Sequence, residues 1–309
     1  MRILFIFLDG VGLGDDDAGQ NPFARADLPA LTRFTDGQRW TRHLPRMESA
    51  AGTFIPTDAC LGVAGRPQSA TGQATILTGV NVPQALGYHY GPKPNKDIRA
   101  LIDRHNLIHI LRTHGLRVGH LNAYPPRFFK GIASGRRLLS SNQYALWAGG
   151  VDLPGPEALY AGRAFSVDLT NEGWRTHLGY PDVPLWTPYE AGRRLALQAQ
   201  QYDFAFFDHW LTDYVGHRGS MPEAIDLLQR LDEMLTGVLD VWDIAEGLII
   251  IASDHGNIED LERRNHTTNP VPTLIIGTAH RAFAEGLTDL THIAPRVLAA
   301  LTDHSAPPM

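Results

Sequence analysis

The sequence contains a single cysteine, Cys60, among its 309 residues. A lone cysteine excludes an intrachain disulfide and a zinc site built from several cysteines, and we expect Cys60 to be a small core residue. Internal repeats and low-complexity tracts are also missing. With 30 Gly, 21 Pro and 14 His, the composition fits an ordinary soluble enzyme with many ordered turns.

The chain also lacks an excess of positive charge, since 27 Lys and Arg stand against 33 Asp and Glu, for a net charge of -6. This balance excludes a general attraction for nucleic acid or anionic lipid, so an anionic ligand must be met by local charge. The opening apolar run, residues 3–8, is interrupted by Asp9 and is too short for a signal peptide or a membrane span. We therefore expect a cytoplasmic protein without nucleic-acid or membrane partners. The sequence leaves the oligomeric state open.

Short apolar runs that end in polar turns alternate along the chain with amphipathic segments. The former predict buried strands and the latter predict helices. The predicted strands are residues 2–8, 116–122, 203–207, 248–252 and 271–276. The predicted helices are residues 69–78, 97–114, 189–200, 222–242 and 291–301. We expect an α/β fold, a three-layer α/β/α sandwich with a mostly parallel central sheet.

Residues 123–188 differ from the rest, because prolines and glycines punctuate them and no long periodic segment occurs. We expect a small cap or irregular insertion there, and a metal-binding catalytic core made of residues 1–122 and 189–309. The cations of the insertion include Arg127, Lys130, Arg136, Arg137, Arg163 and Arg175. Arg127, Lys130 and Arg136 are candidates for holding an anionic substrate, and the alternative for each is solvated surface charge.

The segment of residues 248–272 organises the functional hypothesis. An apolar strand ends there in a turn that presents Asp254 beside His255, and His266 precedes the next apolar run. A carboxylate and two imidazoles at neighbouring strand ends suggest a metal site. Taken one at a time, the residues favour roles without function, Asp254 as a turn cap, His255 as a packed loop residue and His266 as a surface imidazole.

Two further places offer ligand-type side chains. Asp9 follows the first predicted strand, at the edge where open α/β sheets bind ligands, although it also fits an ordinary turn residue. Asp213 and His217 are four residues apart, which places a carboxylate and an imidazole on one face if the segment is a helical turn. That pair can supply two ligands of one metal.

Ser69 opens the predicted helix of residues 69–78 and has two interpretations. As an N-cap it would accept a backbone amide hydrogen bond, the usual reason for a serine there. As a nucleophile it would profit from the same helix end, because free amides and the helix dipole stabilise an incoming phosphate.

Five segments together resemble the alkaline phosphatase superfamily of metalloenzymes, and most closely its branch of cofactor-independent phosphoglycerate mutases and phosphopentomutases. They are residues 8–13 (LDGVGL), 69–72 (SATG), 213–219 (DYVGHRG), 254–259 (DHGNIE) and 266–272 (HTTNPVP). The last two are specific. The likeness covers the predicted core and leaves out the insertion.

This resemblance implies two divalent metal ions, Mn²⁺ or Zn²⁺, and a phosphoserine intermediate. One ion would be bound by Asp9, Ser69, Asp254 and His255, and the other by Asp213, His217 and His266. Such a site lowers the pKa of the serine hydroxyl and neutralises phosphoryl oxygens. Thr71 and Thr75 are rival nucleophiles, but Ser69 holds the family's position three residues before Gly72.

The chain also departs from the mutases. Gln73 stands where they often have a histidine, Ala123 replaces a lysine, and only a short link occupies the place of their large second domain. A mutase must keep its phosphoryl group from water, which needs an enclosing domain. We therefore expect a phosphatase or phosphodiesterase acting on a small phosphorylated substrate. The first alternative is a phosphomutase, and the second is a non-catalytic metal-binding protein of the same fold.

Overall fold

One seven-stranded sheet runs through the molecule, in a computed structural model that describes residues 1–302. The strands are Arg2–Leu8 (β1), Met47–Glu48 (β2), Gly52–Thr57 (β3), Val118–His120 (β4), Phe204–His209 (β5), Gly247–Ser253 (β6) and Val271–Ile276 (β7). Their spatial order is β2-β3-β7-β6-β1-β5-β4.

The sheet is mixed, so the predicted mostly parallel arrangement is only partly confirmed. Neighbours from β6 through β1 and β5 to β4 pair in parallel, whereas β2, β3, β7 and β6 pair antiparallel. The reason is visible at β7, which follows β6 through a loop of residues 254–270. This loop brings the chain back into the sheet without the crossover helix that a parallel pair requires.

Helices cover both faces of the sheet. They are Pro22–Arg25 (α1), Pro29–Thr32 (α2), Ser69–Thr78 (α3), Val82–Leu86 (α4), Lys96–His105 (α5), Leu107–Thr113 (α6), Pro126–Ala133 (α7), Ser141–Ala148 (α8), Pro156–Tyr160 (α9), Glu172–Leu178 (α10), Pro188–Ala199 (α11), Leu211–Arg218 (α12), Met221–Leu239 (α13), His280–Ala284 (α14) and Ile293–Thr302 (α15). Short 3-10 turns occur at Arg33–Thr35 and Leu290–His292. Within residues 1–302, no helix combines the length and the hydrophobicity needed to cross a membrane.

The central strand β1 shows why the fold has three layers. Its side chains alternate between two apolar clusters, one shared with α3, α5, α6 and α15 and the other with α11 and α13. Ile3, Phe5 and Phe7 enter the first cluster, and Leu4 and Ile6 enter the second. A strand buried on both faces reads as a continuous apolar run, and this confirms the predicted α/β/α sandwich.

Two local predictions need correction. The single helix predicted for residues 97–114 is interrupted at Asn106, whose side chain accepts a hydrogen bond from the amide of Ile108 and caps the second helix, α6. Cys60 is half-exposed rather than a core residue, and its Sγ lies 3.6 Å from the carbonyl oxygen of Thr268.

The segment of residues 123–188 contains four short helices, α7 to α10. Parts of it form small apolar clusters of their own, one of which centres on Leu159 and Trp174. Another part, α8, packs on α3 of the core, and the Ser141 hydroxyl donates a 2.7 Å hydrogen bond to the carbonyl oxygen of Ala70. The division into a core and a separate cap stays a prediction.

Candidate metal centre

Five of the predicted ligand residues lie at one edge of the sheet. Asp9 directly follows β1, and Asp254 and His255 directly follow β6. Asp213 and His217 lie on α12, which begins just after β5. Because β5, β1 and β6 are parallel neighbours, their carboxyl ends meet at the same edge, where open α/β sheets bind ligands.

The first set of predicted ligands surrounds His255. Its Nε2 lies 2.9 Å from the Ser69 hydroxyl, 3.3 Å from Oδ1 of Asp9 and 3.7 Å from Oδ2 of Asp254. All four side chains are buried. The structure thus brings together the residues that the resemblance assigns to one ion, and their role as ligands stays a prediction.

Ser69 is not the N-cap of its helix. Gln68 occupies the capping position, and Ser69 is the first residue of α3, with its hydroxyl beside His255. The rival hydroxyls serve the helix itself, since Thr71 donates to the carbonyl of Gln68 and Thr75 to that of Thr71. Of these three hydroxyls, only that of Ser69 contacts a predicted metal ligand.

The second set consists of Asp213, His217 and His266. The two imidazole Nε2 atoms lie 3.3 Å apart, at 3.4 Å and 3.6 Å from Oδ1 of Asp213. On the opposite side of each ring, Nδ1 of His217 lies 3.0 Å from the carbonyl oxygen of Arg264, and Nδ1 of His266 lies 2.9 Å from that of Pro67. Such carbonyls accept the Nδ1 hydrogen and leave Nε2 free to bind a metal.

The two sets adjoin one another. The imidazole rings of His255 and His266 stack with centroids 3.7 Å apart. Ligand atoms of Asp9, Asp213 and His255 also lie within 4.8 Å of one another, as do those of Asp213, His217 and His266. The seven predicted ligands therefore form one continuous site.

The buried carboxylates in this site fit a divalent cation. Oδ1 of Asp9 and Oδ2 of Asp254 are buried and accept no hydrogen bond from the described residues. Burial raises the pKa of both carboxyl groups, and their mutual repulsion raises that of Asp254 further. An isolated buried charge of this kind is costly unless a counter-charge accompanies it.

The pKa values of the two stacked histidines, His255 and His266, are shifted in opposite directions. Burial opposes a charge on His255, but Asp254 and Asp9 outweigh it and raise its pKa to about 10. Burial, together with the charge of His255, lowers the pKa of His266 to about 4. A neutral imidazole at His266 is the form that binds metals.

Glu259 ties together the loops that carry the ligands. Its carboxylate accepts hydrogen bonds from the amides of Gly12 (2.9 Å) and Asn257 (2.7 Å), from the Asn269 side chain (3.0 Å) and from the Thr267 hydroxyl. Only 2 % of Glu259 is exposed. The sequence displays Glu259 within the motif of residues 254–259, but it does not reveal these distant partners.

A cavity of about 500 Å³ opens beside Ser69, Asp9 and Asp213, and we call it the metal-site cavity. Its cationic lining residues are Lys93, Arg137 and Arg218. Burial lowers the pKa of Lys93, while the nearby carboxylates of Asp9 and Asp208 act in the opposite direction. These cations are placed to meet an anion that approaches Ser69.

The cations that the sequence suggested for holding an anionic substrate lie outside the lining of the metal-site cavity. Arg127 lines a neighbouring cavity, whereas Lys130 and Arg136 are exposed and line neither of the two. Arg136 precedes Arg137 in a turn that directs the second residue, but not the first, to the cavity. The role of Arg127, Lys130 and Arg136 in holding an anionic substrate stays a prediction.

Three polar residues around Asp9 were missed as functional candidates. Asp208 is buried near the end of β5, and burial and the charge of Asp9 raise its pKa to about 7. The Asn142 side chain lies 3.5 Å from the Asp208 carboxylate, and Gln73 donates a 3.2 Å hydrogen bond to Asp9. The position of Asp208, directly after the predicted strand of residues 203–207, was the available signal.

Comparisons with known proteins find similar sequences and similar folds. The sequence pattern of the Metalloenzyme superfamily matches residues 191–303. The chain is 30% identical over 139 residues to a 2,3-bisphosphoglycerate-independent phosphoglycerate mutase from Methylobacillus flagellatus, a match that covers 42% of this chain and 27% of the mutase. The chain thus spans about a quarter of the length of this curated relative.

Solved structures match almost the whole chain and show its fold. One is the PH0037 protein from Pyrococcus horikoshii, with 17% identity, a TM-score of 0.58, and coverage of 100% of this chain and 98% of that one. Another is an alkaline phosphatase from the Antarctic bacterium TAB5, with 13% identity, a TM-score of 0.53 and 99% coverage of both chains. The family pattern and the mutase relatives thus confirm the predicted resemblance to metalloenzymes, and the solved structures confirm the alkaline phosphatase-like fold.

Proposed function

We propose that the chain is a metal-dependent phosphoryl-transfer enzyme, a phosphatase or phosphodiesterase that forms a phosphoserine at Ser69. The observation that carries the proposal is the hydroxyl of Ser69 at a helix start, 2.9 Å from Nε2 of His255, beside buried carboxylates and facing a cavity with three cations. A hydroxyl in such surroundings has the features of an activated nucleophile.

The proposed cofactors are two divalent ions, Mn²⁺ or Zn²⁺, held by the two sets of ligands. Mixed carboxylate and imidazole ligands suit these ions better than Mg²⁺ or Ca²⁺. When bound, the ions supply positive charge that lowers the pKa of the serine hydroxyl and neutralises phosphoryl oxygens. A cytoplasmic location and a small phosphorylated substrate belong to the same proposal.

The residues of the chain account for the remaining steps. Lys93, Arg137 and Arg218 hold the phosphoryl oxygens while the Ser69 oxygen attacks phosphorus. A bond forms between that oxygen and phosphorus, the ester P–O bond breaks, and the alcohol leaves with the proton that Ser69 gives up. Water then attacks the phosphoserine, which releases phosphate and restores the hydroxyl.

A phosphomutase is the second candidate, and the mutase relatives are the observation that favours it. A mutase has to retain its phosphoryl group while the product turns round, which requires a site closed to water. The match covers only 27% of the mutase's length, and the large domain between its nucleophile segment and the next helix has no counterpart here. We therefore favour hydrolysis, with a non-catalytic metal-binding protein of the same fold as the remaining alternative.

Hydrolysis of p-nitrophenyl phosphate by protein stripped of metal and reloaded with Mn²⁺ or Zn²⁺ tests the proposal. We expect turnover only after reloading, and a phosphoserine after an acid quench. Interconversion of 3- and 2-phosphoglycerate without release of phosphate would establish the mutase instead. Metal binding without either reaction would leave the non-catalytic protein.

A further inference from the structure

A second cavity, of about 660 Å³, adjoins the metal-site cavity. The two cavities share Arg137, Gln143 and Trp210 in their linings. A molecule bound in the first can therefore extend into the second past these three residues. The size falls within the range of pockets that hold a ligand of nucleoside or drug size.

Four Tyr, Phe and Trp side chains line this second cavity together with polar and charged residues, and we call it the aromatic cavity. Its large apolar members are Tyr124, Phe128, Trp174, Leu178 and Trp210. Trp210 is 41% exposed and lies at the boundary between the two cavities. A flat ring entering the aromatic cavity would cover that surface.

Most of the charged groups that line the aromatic cavity have partners within the protein. Nη1 of Arg230 lies 3.6 Å from Oε2 of Glu172. The Asp168 carboxylate accepts hydrogen bonds from the backbone amides of Asn171 and Gly173. The Arg137 guanidinium stacks on Phe128, 4.9 Å from the ring centroid. Arg127, at the exposed rim, has no ion-pair partner among residues 1–302. The interior of this cavity thus suits an uncharged, flat group rather than a second anion.

We propose that the aromatic cavity binds the alcohol part of the substrate, and that this part carries an aromatic ring. The substrate class is then a phosphate monoester of a ring-bearing alcohol, with its phosphoryl group at Ser69 and its ring against Trp210. A three-carbon acid such as glycerate is too small and too polar to occupy this cavity. The inference rests on the proposed function, since it assumes that a phosphate ester reacts at Ser69.

Two primary alkyl esters, 2-phenylethyl phosphate and ethyl phosphate, test the inference on the Mn²⁺-loaded enzyme. Both release a primary alcohol of similar leaving-group reactivity, so a difference in kcat/KM reports the effect of the ring. We expect at least a tenfold preference for the phenylethyl ester. Trp210→Ala should reduce this ratio towards one, and Trp210→Phe should preserve most of it, because a ring still stacks there.

Trp147→Ala is the matched control, because Trp147 is 59% exposed on α8 and lines neither cavity. We expect both rates and their ratio to stay at the wild-type values in this variant. Equal kcat/KM for the two esters in the wild-type enzyme, or an unchanged preference in Trp210→Ala, would overturn the inference and leave the proposed function intact.

Absence of turnover with both esters and with p-nitrophenyl phosphate would contradict the proposed phosphatase, and the cavity would then be tested by binding alone. 2-Phenylethanol should cause a saturable change in tryptophan fluorescence, whereas ethanol at the same concentration should not, and Trp210→Ala should weaken the response. Identical responses to the two alcohols would refute the aromatic cavity as a binding site.

Discussion

The hydroxyl oxygen of Ser69 lies 2.9 Å from Nε2 of His255, although 186 positions separate the two residues along the chain. The contact depends on how closely α3 approaches the loop after β6. A Cβ at Gly72 would lie only 2.8 Å from the carbonyl oxygen of Asp254, so a side chain there would push the helix away. The packing thus requires a glycine at position 72, three residues after Ser69, where the family motif also has one.

The first prediction concerns Ser69→Ala. If Ser69 is the nucleophile, the change should lower kcat by a factor on the order of a thousand or more, because the covalent route is lost. Stability should change little, since Ser69 makes no capping hydrogen bond. Mass spectrometry after an acid quench should find phosphoserine at residue 69 of the wild-type enzyme and none in the variant.

Thr71→Ala is the control for that experiment. Its hydroxyl bonds the carbonyl of Gln68 within the same helix, so its removal should cost about 1 kcal/mol of stability and affect turnover far less. Full activity in Ser69→Ala, or phosphate on Thr71, would move the nucleophile and undo the alignment with the family at its centre.

The second prediction concerns the two metal sets. Asp254→Ala and His217→Ala each remove a ligand from a different proposed ion, so each should lower the bound Mn²⁺ or Zn²⁺ from two ions per chain towards one and abolish activity. Elemental analysis after dialysis measures this, and circular dichroism should show an intact fold. His105→Ala, at an exposed position on α5, should retain both ions. Two ions in Asp254→Ala would exclude Asp254 from the ligand set.

The third prediction separates neighbouring arginines. Arg137 lines the metal-site cavity and Arg136 does not, so Arg137→Ala should raise KM for p-nitrophenyl phosphate about tenfold or more, as expected for the loss of a charged contact to an anion. Arg136→Ala should leave KM unchanged. Equal effects of the two substitutions on KM would mean that substrate binding depends only on the general surface charge.

The position of several proposed ligand residues at one edge of the sheet was predictable, because each lies next to a signal that is local in the sequence. Asp9, Asp254 and His255 directly follow apolar runs, and Asp213 and His217 share a helical spacing. The central strands and the longest helix were predictable for the same reason, since their periodicity is complete within a few residues.

The residues that the sequence did not reveal depend on distant contacts. Lys93 and Arg137 reach the cavity only through the packing of loops far apart in the chain, so no local pattern distinguishes Arg137 from Arg136. Strand β3 was missed because Pro56 breaks its pattern and its partner, β7, lies more than 200 residues away.

The fourth prediction concerns acid stability. His120 is buried, and burial lowers its pKa to about 3, whereas in the unfolded chain it is near 6.5. As the pH falls, His120 takes up a proton in the unfolded state before it does so in the folded state. Its contribution to stability is therefore present above about pH 6.5 and is lost as the pH falls towards 3. Between pH 7 and 5 this residue should remove about 2 kcal/mol from the free energy of unfolding.

Urea unfolding of metal-free protein at the two pH values measures this loss. In His120→Phe the loss between pH 7 and 5 should be smaller by that amount, because the phenyl ring cannot take up a proton. His209, whose pKa burial lowers to about 4, is present in both proteins and cancels in the comparison. An identical loss in both proteins would show that His120 does not titrate on unfolding.

The last prediction concerns Glu259, which is not a predicted ligand but holds the loops that carry the ligands. Oε2 accepts the amides of Gly12 and Asn257, and Oε1 accepts the side chains of Thr267 and Asn269. If the amide N–H of Glu259→Gln faces the backbone amides of Gly12 and Asn257, both of these hydrogen bonds are lost, because a backbone N–H cannot accept. If it faces Thr267 and Asn269, the Thr267 hydroxyl can reverse and accept, but the hydrogen bond donated by the Asn269 amide is lost, so at least one hydrogen bond is lost in either orientation.

Because Gly12, Asn257 and Thr267 are near Asp9, His255 and His266 in the chain, the loosened loops should hold the ligand atoms less precisely. We expect the affinity for Mn²⁺, measured by calorimetry, to fall 10- to 100-fold, the usual effect of removing a residue that orients metal ligands. Glu262→Gln, an exposed change in the same loop, should bind Mn²⁺ as the wild type does. A merely structural Glu259 would lower Tm of the metal-free protein and leave the Kd of the folded protein within threefold, and that result would refute its positioning role.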